Sequence, residues 1–332
     1  MISKATVVGT GAMATVVAQI LAHNGIHVAL LARDESRAQE LAVARENRRY
    51  LAGFPLQQRI TPTADAAAAF RRTELVVSAT PCQHLRATWE PYASAVPSGA
   101  PICSVTKGIE IATLARPSEI LRFRVPESPI AVLSGPNVAP EMARCLPTTA
   151  VVAGEPRIAE HCREVLTTSW FRVYTSADVI GVELAGAVKN VIGLAAGILD
   201  GLHAGNNAKS ALVTRGLVEI TRLGVSLGAR EETFVGLAGI GDLVTTCVSP
   251  IGRNRSAGER IGRGESAAAV QRDTPSIIEG IPTTRAVLEL ANRHGVEMPI
   301  TQAVHDVLFA NKAPLAAISE LMNRPPKAEA GW

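Results

Sequence analysis

Lys189 is placed to exchange a proton. It lies in a stretch, residues 179–199, where the only other charge is Glu183. At about 100° per residue, Val182, Ala185, Gly186, Gly193 and Ala196 share its helix face to within about 60°. Glu183 falls roughly 120° away, so the helix itself supplies no counter-charge to the ammonium. An amine in such surroundings gives up its proton more readily than one in water, which suits general acid/base work. Most helical lysines instead snorkel to solvent along their own methylenes. Here the neighbours are small and apolar and Asn190 follows directly. The face therefore reads as one built to admit something other than a packing side chain.

A second group of residues opens the chain. Gly9-Thr10-Gly11-Ala12-Met13-Ala14 is a GxGxxA pattern between an apolar run at 5–8 and a helical pattern. Gly9 permits a tight turn, Gly11 lets backbone approach a pyrophosphate, and Ala14 leaves room for helix–strand packing. The free N–H groups of a helix N-terminus then face the phosphates. Alone such a motif is weak; standing between a strand and a helix and ahead of a second strand, it reads as a dinucleotide loop. Ribose specificity is set roughly 20 residues further on, where the chain has Ala32-Arg33-Asp34. Arg33 suits a 2′-phosphate, hence NADP, whereas Asp34 stands one place late for a diol-binding acid. NADP is favoured and NAD stays open.

Three further segments carry polar groups. Lys107, in SVTKGIE, follows a strand, where side chains project at the carboxyl edge of a sheet. SGPNVAPE (134–141) is another strand-to-turn segment, whose Gly135 and Pro136 would hold backbone amides at the same edge. Each by itself is an ordinary loop between strand and helix. Residues 236–243, GLAGIGDL, are too glycine-rich for a helix interior and deliver the Asp242 carboxylate. Next comes Gly252-Arg253-Asn254-Arg255. Arginine offers a planar fork to phosphate oxygens and asparagine a neutral donor. As a bare basic loop, 253–263 would be solvated surface; beside a nucleotide fold and Lys189, an anionic small substrate accounts for it better.

These residues need elements to position them. Strand-like runs at 5–8, 27–31, 75–79, 102–105, 130–133, 149–152 and 171–174 alternate with helical patterns at 13–23, 37–47, 84–95 and 158–167. Such alternation is the signature of a parallel sheet with crossover helices. From about residue 178 the strand signals stop, and helices are expected at 179–199, 209–227, 267–270, 284–294 and 301–309. The expected fold class is α/β, with an N-terminal Rossmann-type dinucleotide-binding domain at 1–177 and an all-α substrate domain at 178–332. Lys189 would then lie in the first long helix after the boundary, in an interdomain cleft where ligands often bind. Only the tail after Arg324 reads as loose.

Composition narrows the remaining options. A chain of 332 residues, 47% hydrophobic and 19% charged, is a two-domain soluble protein by its totals. A net charge of +3 is too slight to argue for nucleic acid or an anionic membrane. Cys82, Cys103, Cys145, Cys162 and Cys247 are scattered, as in a reduced cytoplasmic protein rather than a disulfide framework or zinc site. The histidines also lack ligand spacing, so no metal is expected. The uncharged stretch 5–22 after Lys4 imitates a secretory signal, but Gly9, Gly11 and Gln19 interrupt it and a strand follows. Nothing else approaches the uncharged length that spans a bilayer.

Taken together, these stretches resemble the bacterial NAD(P)-dependent glycerol-3-phosphate dehydrogenases. SVTKGIE, SGPNVAPE, GVELAGAVKNVIGLAAGI, LVTRGLVEITRLG, GLAGIGDLVTTC, GRNR and IIEGIPTT run in family order from residue 104 to 284. With the N-terminal loop they cover nearly the whole chain. The resemblance implies reversible reduction of dihydroxyacetone phosphate to sn-glycerol 3-phosphate by NAD(P)H, feeding glycerophospholipid synthesis in the cytoplasm. It implies Lys189 as general acid/base on the C2 oxygen, with Asp242 orienting Lys189 or a substrate hydroxyl. It also implies Lys107, Gly135, Asn137, Lys189, Asn190, Asp242, Gly252, Arg253 and Asn254 around the substrate. Gly9, Gly11, Ala12, Met13, Arg33, Lys107, Ala139, Arg253, Ile277 and Glu279 would face the cofactor. No nucleic acid, membrane span or metal is implied, and a homodimer stays open.

The chain departs from the family pattern at four places. Ala12 and Met13 stand where the family has Ser and an aromatic, Ala14 where it has glycine, and Gly252 where it often has serine. Gly252 would still offer its backbone N–H. Two rival readings remain: a related reductase of another small 2-keto or 3-hydroxy acid such as ketopantoate, and a non-catalytic NAD(P)-binding protein.

Overall fold

The computed structural model describes residues 2–274 and 277–325. The chain forms two units, one of residues up to Lys107 together with Arg116–Val179, the other of Gly108–Ala115 together with the chain from Ile180 onward. The first unit holds the strands β1 (Lys4–Val8), β2 (His27–Leu31), β3 (Ile60–Thr63), β4 (Leu75–Ser78), β5 (Ile102–Ser104), β6 (Ile130–Ser134), β7 (Thr148–Ala153) and β8 (Phe171–Ser176). Its helices are α1 (Ala12–His23), α2 (Glu35–Ala44), α3 (Ala66–Phe70), α4 (Cys82–Trp89), α5 (Pro117–Arg124), α6 (Ala139–Ala143) and α7 (Pro156–Leu166).

These strands make one sheet in the order β3-β2-β1-β4-β5-β6-β7-β8. Helices cover it, so β4 and β6 are buried along their whole length and read as continuous apolar runs. The expected parallel arrangement holds for β1 to β6 and again for β7 with β8. It fails between β6 and β7, which pair antiparallel. The helix between them, α6, has five residues and rises about 7.5 Å, too little to carry the chain back along the sheet as a crossover. β3 escaped the sequence reading because it is four residues, ITPT, with a proline. A proline is tolerated there because β3 lies at the sheet edge.

The second unit contains α8 (Val179–Gly201), α9 (Gly205–Ser226), α10 (Glu231–Phe234), a π-turn at Leu237–Gly241, and α11 (Asp242–Val248). It continues with α12 (Arg253–Gly262), α13 (Ala267–Asp273), α14 (Gly280–Arg293), α15 (Pro299–Phe309) and α16 (Pro314–Met322). By length and composition α8 could cross a membrane, but 89% of its apolar window is buried in the protein, which makes it a core helix. The tail beyond Pro325 lies outside the described residues.

One small residue on the Lys189 face, Gly193, has a packing explanation, and so do Gly197 and Gly201 further round α8. A Cβ on Gly193 would stand 2.6 Å from Thr246 Cγ2. One on Gly197 would land on the Arg255 carbonyl, and one on Gly201 on the Glu259 carbonyl. From the facing helix, Gly258 and Gly262 meet the carbonyls of Leu194 and Ile198 in the same way. Glycines four apart on both partners let α8 and α12 touch backbone to backbone. The segment 253–263, expected as a basic loop, is therefore mostly helix. Its glycines lower its intrinsic helix propensity, and packing against α8 overrides that.

Candidate active site

Because β1, β2, β4, β5 and β6 run parallel, their carboxyl ends lie along one sheet edge, and the strand order reverses direction at β1. Gly9 leaves β1 with φ +115°, and a Cβ there would stand 2.7 Å from the Ala79 carbonyl oxygen. Only glycine fits. Gly11 is the N-cap of α1, with no side-chain cap and open space where a Cβ would go. Ala12 and Met13 open the helix. Its first-turn N–H groups thus lack intrahelical acceptors and carry the positive end of the helix dipole.

The neighbouring loops add orphaned polar groups. The Thr80 hydroxyl, following β4 and beside Gly9, is buried without a hydrogen-bond partner among the described residues. The same holds for both polar atoms of the Asn137 side chain. Buried polar atoms that the protein leaves unpaired are matched by a ligand or water. After β6, Gly135 adopts φ +144°, and a Cβ would stand 2.9 Å from Ala150 Cα. The ammonium of Lys107, beyond β5, donates to the Gly135 carbonyl at 2.9 Å. Ala139 begins α6. A glycine cradle, an open helix N-terminus and unpaired amide and hydroxyl groups suit a nicotinamide dinucleotide.

At the end of β2 the Arg33 side chain is 84% exposed, with Nε 2.8 Å from Asp34 Oδ2. The other oxygen of Asp34 accepts the Arg37 N–H at 2.8 Å and so caps α2. That backbone hydrogen bond, and then the Arg33 guanidinium, hold the Asp34 carboxyl below its usual range. The acid one place late in sequence has a local structural duty.

In the second unit, Lys189 projects from the middle of α8 with its side chain 10% exposed. Nζ stands 2.9 Å from Asp242 Oδ1 and donates to Thr246 Oγ1 at 2.5 Å. Asp242 opens α11, and Thr246 lies one turn later on the same face. The π-turn makes this entry: Gly239 is non-helical, and a Cβ there would land on the Phe234 carbonyl. Within α8 the amine has no counter-charge, as expected, and Asp242 meets it instead. Its partner comes from another helix, where a reading along α8 alone could not find it. Thr246 was not singled out from the sequence; its signal is the four-residue spacing from Asp242. Cys247, next in the chain, is pushed up to about 12 by burial and stays a neutral thiol.

Asn190 and Asn254 are engaged with each other. Asn254 Nδ2 donates to Asn190 Oδ1 at 2.9 Å, and Asn254 Oδ1 accepts the Gly280 N–H at 2.9 Å. This pair ties α8, α12 and the start of α14 together, leaving Asn254 one further N–H. Arg253, exposed at the first position of α12, donates to the Ile277 carbonyl at 3.3 Å. Glu279 occupies the N-cap position of α14. The Gly252 N–H donates to the Ser249 carbonyl at 3.2 Å, so it is not the open donor the sequence reading assumed. The first-turn N–H groups that follow it, from Arg253 onward, lack intrahelical acceptors.

Comparison with known proteins places these features in a family. Residues 4–159 match the N-terminus of NAD-dependent glycerol-3-phosphate dehydrogenase, and residues 178–319 match its C-terminus. The chain is 44% identical over 329 residues to glycerol-3-phosphate dehydrogenase [NAD(P)+] of Streptomyces griseus, with 98% of each chain covered. It is 47% identical over 328 residues to the protein of that name from Chlorobium limicola, covering 97% of this chain and 98% of the relative. In three dimensions it is similar to the crystal structure of a glycerol-3-phosphate dehydrogenase from Coxiella burnetii, with a TM-score of 0.94 at 34% identity over 97% of this chain and 99% of that one.

Proposed function

The chain belongs to the NAD-dependent glycerol-3-phosphate dehydrogenases, and on that premise we propose that it interconverts dihydroxyacetone phosphate and sn-glycerol 3-phosphate with Lys189 as general acid and base. The buried Lys189–Asp242–Thr246 cluster carries this reading. An ammonium has three N–H bonds. With Asp242 and Thr246 accepting two of them, the third is left for the C2 oxygen of the substrate. In the reductive direction Lys189 hands that proton to the developing alkoxide; in the oxidative direction it takes the proton back.

The bound nicotinamide supplies or accepts the hydride at C2. Gly9, Gly11 and the first turn of α1 would hold its pyrophosphate, with Ala12 and Met13 beside it. Arg33, Lys107, Ala139, Arg253, Ile277 and Glu279 complete the proposed cofactor contacts. The exposed Arg33 guanidinium favours the 2′-phosphate of NADP over NAD. On the substrate side, the Arg253 fork and the N-terminal N–H groups of α12 suit the phosphate. Gly252 shapes that helix entry, while Asn190 and Asn254 hold the helices that present it and lend one amide N–H. Lys107, Gly135 and Asn137 complete the substrate set. The enzyme would serve glycerophospholipid synthesis in the cytoplasm, a compartment that the five unbridged cysteines suit.

The test follows absorbance of reduced nicotinamide with dihydroxyacetone phosphate, dihydroxyacetone and ketopantoate, each with NADPH and with NADH. Turnover should require the phosphate and be faster with NADPH. Equal turnover of a phosphate-free ketone would overturn the substrate assignment in favour of the ketoacid reductase reading.

A further inference from the structure

We infer that Asn47, a residue outside every motif recognised above, is the positioning residue that aims the dinucleotide loop at its phosphates. The inference rests on reading Gly9–Gly11 as the pyrophosphate seat. Asn47 is fully buried, three residues beyond the end of α2. Its Nδ2 donates to the Thr10 carbonyl at 3.0 Å and to Thr15 Oγ1 at 2.7 Å. Thr15 Oγ1 in turn donates to the Gly11 carbonyl at 2.9 Å. On its other side Asn47 Oδ1 accepts Arg37 Nη2 at 2.5 Å, and Arg37 is itself 7% exposed. All of the amide's strong directions are therefore fixed: two donors into the loop and first turn, one acceptor onto a buried guanidinium.

The consequence follows from peptide geometry. A peptide unit is planar and trans, so a carbonyl and the N–H that follows it point in opposite directions. Holding the Thr10 carbonyl toward the buried Asn47 turns the Gly11 N–H the other way, off the core. That N–H has no protein acceptor among the described residues. It would join the open N–H groups of α1 in facing an anion. A lock is needed because Gly11 has no Cβ: glycine permits the flipped peptide almost as readily, and the flip would aim a carbonyl at the phosphates instead. Arg37 fixes the Asn47 amide, while its own charge is met by Glu40, with Nη1 2.7 Å from Glu40 Oε1.

The experiment compares wild type, Asn47→Ala and Asn47→Asp by fluorescence titration with NADPH, thermal unfolding and steady-state kinetics. Asn47→Asp keeps the shape and the acceptor for Arg37 and loses the donors to Thr10 and Thr15. Both variants should bind NADPH at least about tenfold more weakly, the loss expected when a hydrogen bond to a charged group is misdirected. KM for NADPH should rise in step, while kcat at saturating NADPH falls less than about threefold. Wild-type affinity in Asn47→Asp, or a lowered melting temperature in both variants with unchanged affinity, would assign Asn47 to packing alone and overturn the inference. Wild-type protein that binds neither NADPH nor NADH would remove the cofactor reading itself, and this inference with it.

Discussion

The two units position their candidate functional residues by opposite means. In the first, each polar group stands just after a strand, and glycine acts through its backbone freedom: Gly9 and Gly135 hold φ +115° and +144°. In the second, glycine acts through absence of bulk inside helices, drawing α8 and α12 into backbone contact at Gly197, Gly201, Gly258 and Gly262. In the first, each motif is local in sequence, although the loops that carry them follow separate strands. The second is a convergence of distant helices, and Lys189 finds its partners only there. The caps repeat the contrast. Asp34 caps α2 from the adjoining residue, whereas the start of α15 receives Glu219 from α9.

The sharpest way to break this comparison is Lys189→Ala. If proton transfer belongs to the helical unit and nucleotide binding to the sheet edge, kcat falls by more than about a hundredfold while NADPH affinity holds. Steady-state rates and an NADPH titration on the same preparation decide it. Turnover near the wild-type rate would remove Lys189 from the chemistry.

That asymmetry also governs what could be read from the residues. The strand-to-loop motifs of the first unit announce themselves, since a strand end, a glycine and a helix start are consecutive. β3 was missed because a four-residue edge strand with a proline has no apolar run, and the turn to antiparallel at β7 because it depends on how short α6 is. In the second unit Lys189, Asp242 and Arg253 were legible as residue types in unusual company. Asp242 as a group orienting Lys189 was legible too; Thr246 on the amine was not, nor was the reach of Asn254 from a third helix to Asn190 and Gly280. Asn47 left no mark either, because one asparagine after a helix is ordinary until its partners are seen.

Gly197→Ala probes the steric use of glycine. The added methyl would land on the Arg255 carbonyl, so the α8–α12 pair must separate. Overpacking of this kind costs about 1–3 kcal/mol, even against a helix-propensity gain of up to about 1 kcal/mol. Denaturant unfolding should show the loss. A stabilised variant would mean the helices have room that the glycine spacing denies.

Gly11→Ala sharpens the other side. Gly11 has φ −75°, and an added methyl would meet nothing within 4 Å; alanine is the poorer N-cap, but it lowers the entropy of the unfolded chain by a similar amount, so stability should move less than about 1 kcal/mol. The same methyl would occupy the space through which backbone meets pyrophosphate, and NADPH binding should weaken about tenfold. Unchanged affinity would show that the phosphates approach elsewhere.

Glu219 tests the distant cap through the pH dependence of stability. Its carboxylate accepts the N–H groups of Ile300 and Thr301 and the Thr301 hydroxyl, yet burial dominates and pushes it up to about 7 from 4.5. A folded-state value above the unfolded one means the folded protein holds this proton more tightly. The resulting stability is complete below about pH 4.5 and is lost as pH rises through about 7, at up to roughly 1 kcal/mol per pH unit. Comparing wild type with Glu219→Gln by urea unfolding at pH 5 and pH 8 isolates the contribution, because every other titrating group is common to both. Wild type should lose more stability between the two values than the variant does. Equal losses would mean that the carboxylate is better solvated by the start of α15 than its burial implies, and that this cap, although it arrives from another helix, behaves like the local one at Asp34.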